Sequence, residues 1–321
     1  MSYYIIRTLW KLMSLLPMGV LHFISDLIYF PLYYIARYRR KVVHTNLTNA
    51  FPEKTEKEIV QIEKKFYSAF CDYIVENLKL MDMSPEKAKK YLRFENTEEV
   101  ERVMNESGKS CVLYIGHFFN WEFITSIGLW FKNSNIHFGT IYHPLANKAM
   151  DRLFIELREQ YGAEGISMAQ TLRRIMQLQK EKKMYLIGFI ADQVPHWEAI
   201  DYWMEFFHQE TPVFTGTEKI ARRTESCVFY LSMRRERRGH YVATFHKMAE
   251  DATSTKEHEL TNMYYHLLEE NMKEHPELWL WTHRRWKRTK AKYQEWNEKR
   301  IKRLKEKTRK HNVQIHTQTK A

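Results

Sequence analysis

CVLYIGHFFNWE, at residues 111–122, is the stretch that decides the fold class. Its first five residues are apolar and rich in strand formers, which predicts a buried strand. A helix is expected to begin at Asn120, so Gly116 and His117 lie between the carboxyl end of a strand and the start of a helix. Active sites of open α/β sheets form at that edge. The stretch therefore predicts an α/β fold and marks where its site should lie.

Apolar runs and helical patterns continue to alternate toward the C-terminus. Such alternation is typical of an α/β domain with a central, mostly parallel sheet flanked by helices. Strands are predicted at residues 137–142, 185–191, 227–233 and 241–245, and helices from Asn147, Ala169 and Thr215.

Two helix starts have the spacing of a capping box, in which a Ser or Thr precedes Glu by three residues. Thr55 and Glu58 open a stretch whose apolar residues recur at helical spacing to about residue 80. Thr215 and Glu218 repeat the pattern further along the chain. We expect an N-terminal cap of this kind at both helices.

Residues 12–36 contain no Lys or Arg and are long enough to cross a hydrocarbon core of about 30 Å. Asp26, near the middle, costs about 2.5–3.5 kcal/mol at the centre of a bilayer. Pro17 and Pro31 also allow a bent helix or a helical pair that lies in the interface. The segment is therefore predicted to be a membrane anchor that either spans the bilayer or lies in its surface.

Basic residues flank the anchor and fill the C-terminal segment. The cluster at residues 37–41 places the downstream chain in the cytosol by the positive-inside rule. Residues 284–310 hold fourteen Lys or Arg against three Glu, which accounts for most of the net charge of +12. A basic helix there suits an anionic membrane surface or a carrier protein, and disorder is the alternative. The predicted organisation is an anchor at 1–41, a catalytic domain at 42–288 and a basic helix or tail at 289–321.

The three cysteines do not form a metal-binding pattern. Cys111 and Cys227 lie in apolar, strand-like runs, and Cys71 lies in the helical stretch before them. An odd number of cysteines in apolar sequence indicates reduced, buried thiols and cytosolic chemistry. No spacing among them resembles a zinc site, so no metal is expected.

His117 and Glu122 are the candidate catalytic pair. A histidine can act as general base on a hydroxyl, while a carboxylate fixes its ring tautomer and stabilises the imidazolium that forms. The spacing alone is weak evidence, because His196 with Asp201 and His246 with Asp251 share it. Neither of those pairs follows a strand and a glycine, so position in the fold favours His117.

The segment GHFFNWE resembles the HX4D/E signature of the glycerolipid acyltransferases, specifically the late acyltransferases of lipid A biosynthesis. Five further blocks agree with that family in the same order. They are RKVVHTNLTNAFPE (40–53), IYHPLANKAMDRLF (141–154), ADQ (191–193), FTGTEKIARRT (214–224) and HPELWLWTHRRWK (275–287). The resemblance covers roughly residues 35–288. It implies a fold like that of glycerol-3-phosphate acyltransferase and direct acyl transfer with His117 and Glu122.

The resemblance also implies several substrate-binding residues. The family often has Tyr-Arg-Pro where this chain has Tyr-His-Pro, so His143 takes the position of an Arg that could stabilise an oxyanion. Either His143 donates to the oxyanion or Arg158 replaces it as the donor, and the alternative for His143 is a packing residue. Asp192 and Gln193 end a strand and are expected to bind or orient the acceptor, with capping of the next loop as the alternative. Arg284 is expected to bind phosphate or an acidic carrier-protein surface, with solvated surface as the alternative.

The function that the resemblance implies is acyl transfer from acyl-carrier protein to a hydroxyl of a lipid A precursor. The expected location is the cytoplasmic face of the bacterial inner membrane. The resemblance implies direct transfer without an acyl-enzyme intermediate, which fits the absence of a GxSxG motif, and no cofactor is expected. Two alternatives stay open: acylation of a lysophospholipid or aminolipid, and a membrane-tethered binding protein that uses its basic tail. A nucleic-acid partner is not expected, because the basic tail carries no sequence-reading motif.

Overall fold

The computed structural model describes residues 2–318, and for residues 3–306 it also describes side-chain burial. The elements alternate between helix and strand along most of the chain. The helices are α1 (Ser2–Ser14), α2 (Met18–Phe30), α3 (Arg40–Ala50), α4 (Glu56–Leu80), α5 (Pro85–Tyr91), α6 (Thr97–Ser107), α7 (Lys148–Glu159), α8 (Thr171–Lys180), α9 (Gly216–Arg223), α10 (Glu259–Glu274) and α11 (Lys290–Gln318). The strands are β1 (Leu92–Glu95), β2 (Cys111–Ile115), β3 (His137–Tyr142), β4 (Glu164–Ser167), β5 (Tyr185–Ile190), β6 (Tyr202–Phe206), β7 (Gln209–Val213), β8 (Cys227–Arg237) and β9 (His240–Ala249).

Seven strands form one sheet in the order β1-β9-β8-β2-β5-β3-β4. Every neighbouring pair is parallel except the β8–β9 hairpin. β6 and β7 form a separate antiparallel hairpin. The sheet confirms the predicted α/β fold with a mostly parallel central sheet.

β2 lies at the centre of the sheet, and all five of its residues are buried. A strand with helices on both faces needs apolar side chains on both faces, which explains the continuous run CVLYI. Ile115 at the end of β2 pairs with Ile190 at the end of β5. The next residues of both strands therefore leave the sheet side by side.

The two predicted capping boxes have different outcomes. At α4 the Thr55 hydroxyl accepts from the Glu58 backbone N–H, and the Glu58 carboxylate accepts from Thr55, as predicted. The box at α9 is wrong, although the helix begins there. The Glu218 carboxylate accepts instead from the start of α10, and the Thr215 hydroxyl donates to Asp201. Tertiary hydrogen bonds have taken both side chains of the expected cap.

The apolar N-terminal segment is two helices that pack on the domain. α1 ends at Ser14, and α2 begins after Pro17 and continues as a π-helical turn over Pro31–Ile35. Met18–Ile35 is the helix, among the described residues, that is long and apolar enough to cross a membrane by length and composition. α2 packs along α4, and α1 packs on α4 and α7.

The C-terminal segment is helical, as one of the two predicted options. Tyr293 and Trp296 of α11 stack on Trp197, with ring centroids 6.3 and 6.0 Å away.

All three cysteines are free and buried, as predicted. The domain boundaries at 41 and 288 stay predictions.

Candidate active site

His117 and Asp192 meet at the carboxyl edge of the sheet, where β2 and β5 end. The Nδ1 atom of His117 lies 2.6 Å from Oδ1 of Asp192. The backbone N–H of His117 donates to the other carboxylate oxygen at 2.8 Å. Asp192 thus fixes both the ring and the backbone of a residue 75 positions earlier in the chain.

Asp192 is fully buried and accepts a further hydrogen bond, from the Trp279 indole N–H at 2.7 Å. Burial alone raises the pKa of this carboxyl group. The electrostatic attraction and hydrogen bonds between Asp192 and His117, together with the Trp279 N–H, outweigh burial and hold the pKa of Asp192 below its ordinary value. Asp192 is therefore an ionised carboxylate directly behind the imidazole.

Two tyrosines of α10 hold the ends of the same two strands. The Tyr264 hydroxyl donates to the carbonyl of Ile115, and the Tyr265 hydroxyl donates to the carbonyl of Ala191, each at 2.9 Å. The two acceptor carbonyls lie two residues before His117 and one residue before Asp192. The two tyrosines therefore fix the strand ends that carry His117 and Asp192.

The hydrogen-bond network assigns the tautomer of His117. Since the carboxylate of Asp192 can only accept, Nδ1 carries the ring proton and Nε2 carries the lone pair. The Gln193 amide nitrogen lies 3.2 Å from Nε2. The ring meets the edge of Trp121 at a centroid distance of 5.0 Å, and 18% of the side chain is exposed.

Glu122 has a different partner from the expected one. It lies in a 3-10 helix over Trp121–Trp130, at the point where the sequence predicted a helix start. Its carboxylate accepts two hydrogen bonds from Arg158, at 2.8 and 3.1 Å, and one from the Trp121 indole at 3.1 Å. Within the part of the chain that the structure describes, no hydrogen bond or ion pair joins it to His117. Glu122 therefore binds Arg158 of α7 rather than the His117 ring, and its expected roles as ring partner and catalytic residue stay predictions.

Arg158 is the cation beside this site. Its guanidinium lies 5.8 Å from the ring centre of Tyr142 and 5.4 Å from that of Phe154, and its side chain is 19% exposed. Burial lowers the pKa of Arg158, but the Glu122 carboxylate raises it by more, so the pKa of Arg158 lies above its ordinary value. The pair is a fixed, mostly buried salt bridge.

His143 and Arg284 are not brought into this cluster. Both are exposed, and Nδ1 of His143 lies 3.0 Å from the carbonyl oxygen of Pro144. Of the two side chains considered as replacements for the family's Arg, the structure therefore places Arg158, rather than His143, beside Glu122. Substrate binding by all five predicted residues stays a prediction.

Trp279 was not singled out from the sequence, and His283 was expected only as part of a basic block, 283–287, that could bind phosphate or an acidic carrier-protein surface. Residues 278–280 run beside 117–119, with backbone hydrogen bonds from Phe119 to Leu278 and from Leu280 to His117. The His283 Nε2 atom accepts from the backbone N–H of Val194 at 3.3 Å, and burial lowers the pKa of His283 to about 4. A signal was present, because the WLWTH run is more apolar and aromatic than a solvated basic loop requires.

A model of the bacterial lipid A biosynthesis acyltransferases matches residues 1–288. The chain belongs to this family. The match contains the two N-terminal helices, the whole sheet, His117 and both carboxylates, and it ends just before α11. No curated protein matches the chain significantly. Membership in the lipid A acyltransferase family makes this protein an acyltransferase, and it confirms the resemblance drawn from the sequence.

The arrangement can perform base chemistry. An imidazole with an ionised carboxylate at Nδ1 and a lone pair at Nε2 can take a proton from a hydroxyl. The buried carboxylate stabilises the positive ring that results, since it lies 2.6 Å away and is screened from water. For a lipid A acyltransferase, that hydroxyl would belong to the lipid acceptor.

Proposed function

We propose that this protein transfers a fatty acyl group from acyl-carrier protein to a hydroxyl of a lipid A precursor, at the cytoplasmic face of the inner membrane. Family membership supports acyl transfer in lipid A biosynthesis. The single observation that carries the mechanism is the 2.6 Å contact between His117 Nδ1 and Asp192, which leaves Nε2 as the base.

In the proposed reaction, Nε2 of His117 removes the proton of the acceptor hydroxyl. The oxygen attacks the thioester carbonyl carbon, and a tetrahedral intermediate forms. Its collapse breaks the C–S bond, and the proton on the imidazolium passes to the departing thiolate of the carrier. The ester and the free carrier thiol account for every atom, and a general base of this kind contributes about 10² to 10⁴ in rate.

The two carboxylates have separate roles in this proposal. Asp192 orients His117 and stabilises its imidazolium. Glu122 holds Arg158, whose guanidinium is the candidate donor to the oxyanion of the intermediate. Such a donor is commonly worth about 2.7–4 kcal/mol. His143 is the second candidate for that donor.

Gln193 and Arg284 complete the proposed binding surface. The Gln193 amide lies beside Nε2 of His117, where the acceptor hydroxyl has to arrive, so it is suited to hold that hydroxyl. Arg284 is exposed among Arg and Lys residues that suit the acidic surface of acyl-carrier protein. The basic residues of α11 extend this surface beyond the family match.

The test is acyl transfer by the purified full chain in vesicles, with acyl-carrier protein that carries a fatty acyl thioester as the donor. A lipid A precursor, a lysophospholipid and an aminolipid are offered separately as acceptors. Acylation of the lipid A precursor alone is the expected result. Acylation of only a lysophospholipid or an aminolipid would overturn the proposed acceptor while leaving the base chemistry intact.

His117→Ala tests the base itself, and we expect it to lower the rate by about 10² to 10⁴. His196→Ala is the matched control, because His196 has the same spacing to an acid but is exposed and lies outside the site. We expect it to keep the wild-type rate. Thermal unfolding of both variants checks the fold. Substantial transfer by folded His117→Ala would show that His117 is not the required base, whereas absence of transfer by the wild-type chain to all three acceptors would favour a membrane-tethered binding protein.

A further inference from the structure

The outer side of α2 is a continuous apolar stripe. Val20, Phe23, Leu27, Phe30 and Tyr34 are 42–62% exposed. They follow one another at intervals of three or four residues, so they share one face of the helix and of the π-helical turn that extends it. The stripe runs the full length of the segment that could cross a membrane.

The opposite side of α2 carries its polar residues, and the domain holds them. Nε2 of His22 lies 3.1 Å from Oε1 of Glu76, and the Ser25 hydroxyl donates to Asp72 at 2.7 Å. Both acids are buried residues of α4. The polar side of α2 is therefore part of the folded domain.

The tip of the β8–β9 hairpin contacts the polar side of α2. Arg238 donates to Asp26 at 2.6 Å, to Asp72 at 2.6 Å and to the backbone carbonyl of His22 at 3.1 Å. Gly239 has a φ of +75°, and a Cβ there would lie 2.9 Å from the His22 ring, so the tip touches α2 closely. The charge of Asp26, which disfavours insertion of α2 into a bilayer, is therefore balanced by Arg238.

These contacts lie at the middle of the helix. If α2 crossed a bilayer, Glu76, Asp72 and Arg238 would lie near the bilayer centre with residues 22–26. Each charge lowers the insertion equilibrium by about 10²-fold at that depth. A helix in the plane of the surface instead keeps these charges on the water side and inserts only the stripe.

α1 and the flanking basic residues support the same orientation. Ile5, Leu9 and Leu12 are 55–59% exposed at intervals of four and three, while the Trp10 indole donates to the carbonyl of Leu78 on the other side. Arg37, Arg39, Lys41 and Lys11 are exposed at the helix ends. Each basic residue near an anionic surface raises binding by about fivefold.

We propose that α2 lies in the plane of an anionic bilayer surface, with its apolar stripe inserted and its polar face held by Glu76, Asp72 and Arg238. The chain is then bound to one leaflet without spanning the membrane. The proposal goes beyond the acyl-transfer reaction and does not depend on it, because no residue of the proposed catalytic cluster takes part.

Depth measurement with nitroxide labels tests the proposal on the full chain. Val20→Cys, Leu27→Cys and Tyr34→Cys place labels along the stripe, and the three native cysteines are buried, which keeps background labelling low. Vesicles of phosphatidylethanolamine with phosphatidylglycerol serve as the bilayer, and vesicles of phosphatidylcholine alone test the need for anionic lipid. Glu257→Cys is the control, because Glu257 is exposed and lies beyond the end of β9 opposite the hairpin tip.

An in-plane α2 puts all three labels at a common depth of about 5–10 Å below the headgroups, while the control label stays in water. A spanning helix would change depth by about 20 Å between Val20 and Tyr34, at about 1.5 Å per residue, and would overturn the proposal. Labels that remain in water, or that are shielded without vesicles by a second copy of the chain, would overturn it too.

Discussion

Asp192 and Glu122 are both buried carboxylates near His117, yet one faces an imidazole and the other a guanidinium. The guanidinium of Arg158 is permanently charged, so its pair with Glu122 is already balanced before any chemistry. An imidazole gains a charge only when it takes a proton, so Asp192 can respond to that step. A buried carboxylate can therefore assist a base only when its own partner is the group that gains the proton.

Of the substitutions that separate the two carboxylates, Asp192→Asn should lower the acyl-transfer rate most. We expect transfer to fall by about 10² to 10⁴, because the neutral amide no longer stabilises the imidazolium and need not select the Nδ1–H tautomer. Steady-state rates of the purified variant measure the loss, and circular dichroism checks the fold. Glu122→Gln is the matched control, since it removes a buried carboxylate that does not touch the ring. A larger loss in Glu122→Gln than in Asp192→Asn would reverse the assignment.

Arg158→Gln should have the next largest effect, a loss of about 10² if the guanidinium stabilises the oxyanion. Combining it with Glu122→Gln forms a double-mutant cycle. We expect the carboxylate change to add little once Arg158 is gone, because Glu122 acts through Arg158. Independent, multiplying losses in transfer rate would show that Glu122 has a separate function.

The smallest expected effect is the contribution of His283 to the pH dependence of stability. Unlike His117, His283 has no carboxylate hydrogen-bond partner among the described residues. Burial holds its folded pKa at about 4, below the unfolded value of 6.5, so the unfolded chain takes up the proton first. The free energy of unfolding should therefore fall as the pH drops from about 6.5 to 4, by about 1–2 kcal/mol after allowance for partial exposure.

Denaturant unfolding across this pH range, on wild type and His283→Gln, measures that slope. The Gln side chain can accept from the Val194 N–H without titrating, so the variant should lose part of the pH dependence. His246, whose pKa burial also lowers, contributes in the same direction, and His246→Gln is the control for a histidine outside the site. An unchanged slope in His283→Gln would contradict the assignment of His283 as a neutral acceptor.

The sheet and its active edge could be predicted because they depend on local patterns. CVLYI predicted β2, and His117, which follows it after Gly116, was correctly expected at the carboxyl edge. The partner of His117 could not be read from spacing. Glu122 is five residues away but turns toward α7, while the parallel pairing of Ile115 with Ile190 brings Asp192 to the ring.

Long-range contacts account for the other differences. Asp26 looked unfavourable in an apolar helix because its partner, Arg238, lies 212 residues later. The cap expected at Thr215 failed because α10 supplies donors to Glu218. Local sequence predicts helices and strands, whereas the choice of partner for a buried charge is made by the packing of distant elements.

Asp192 holds His117 in the tautomer that leaves Nε2 unprotonated, and nitrogen NMR of the imidazole tests this assignment directly. With labelled histidine, His117→Gln assigns the signal of this ring in the full chain. We expect a protonated Nδ1 with a strongly deshielded proton, which persists in Glu122→Gln and disappears in Asp192→Asn. A proton on Nε2 in the wild type, or loss of the deshielded signal in Glu122→Gln alone, would contradict it.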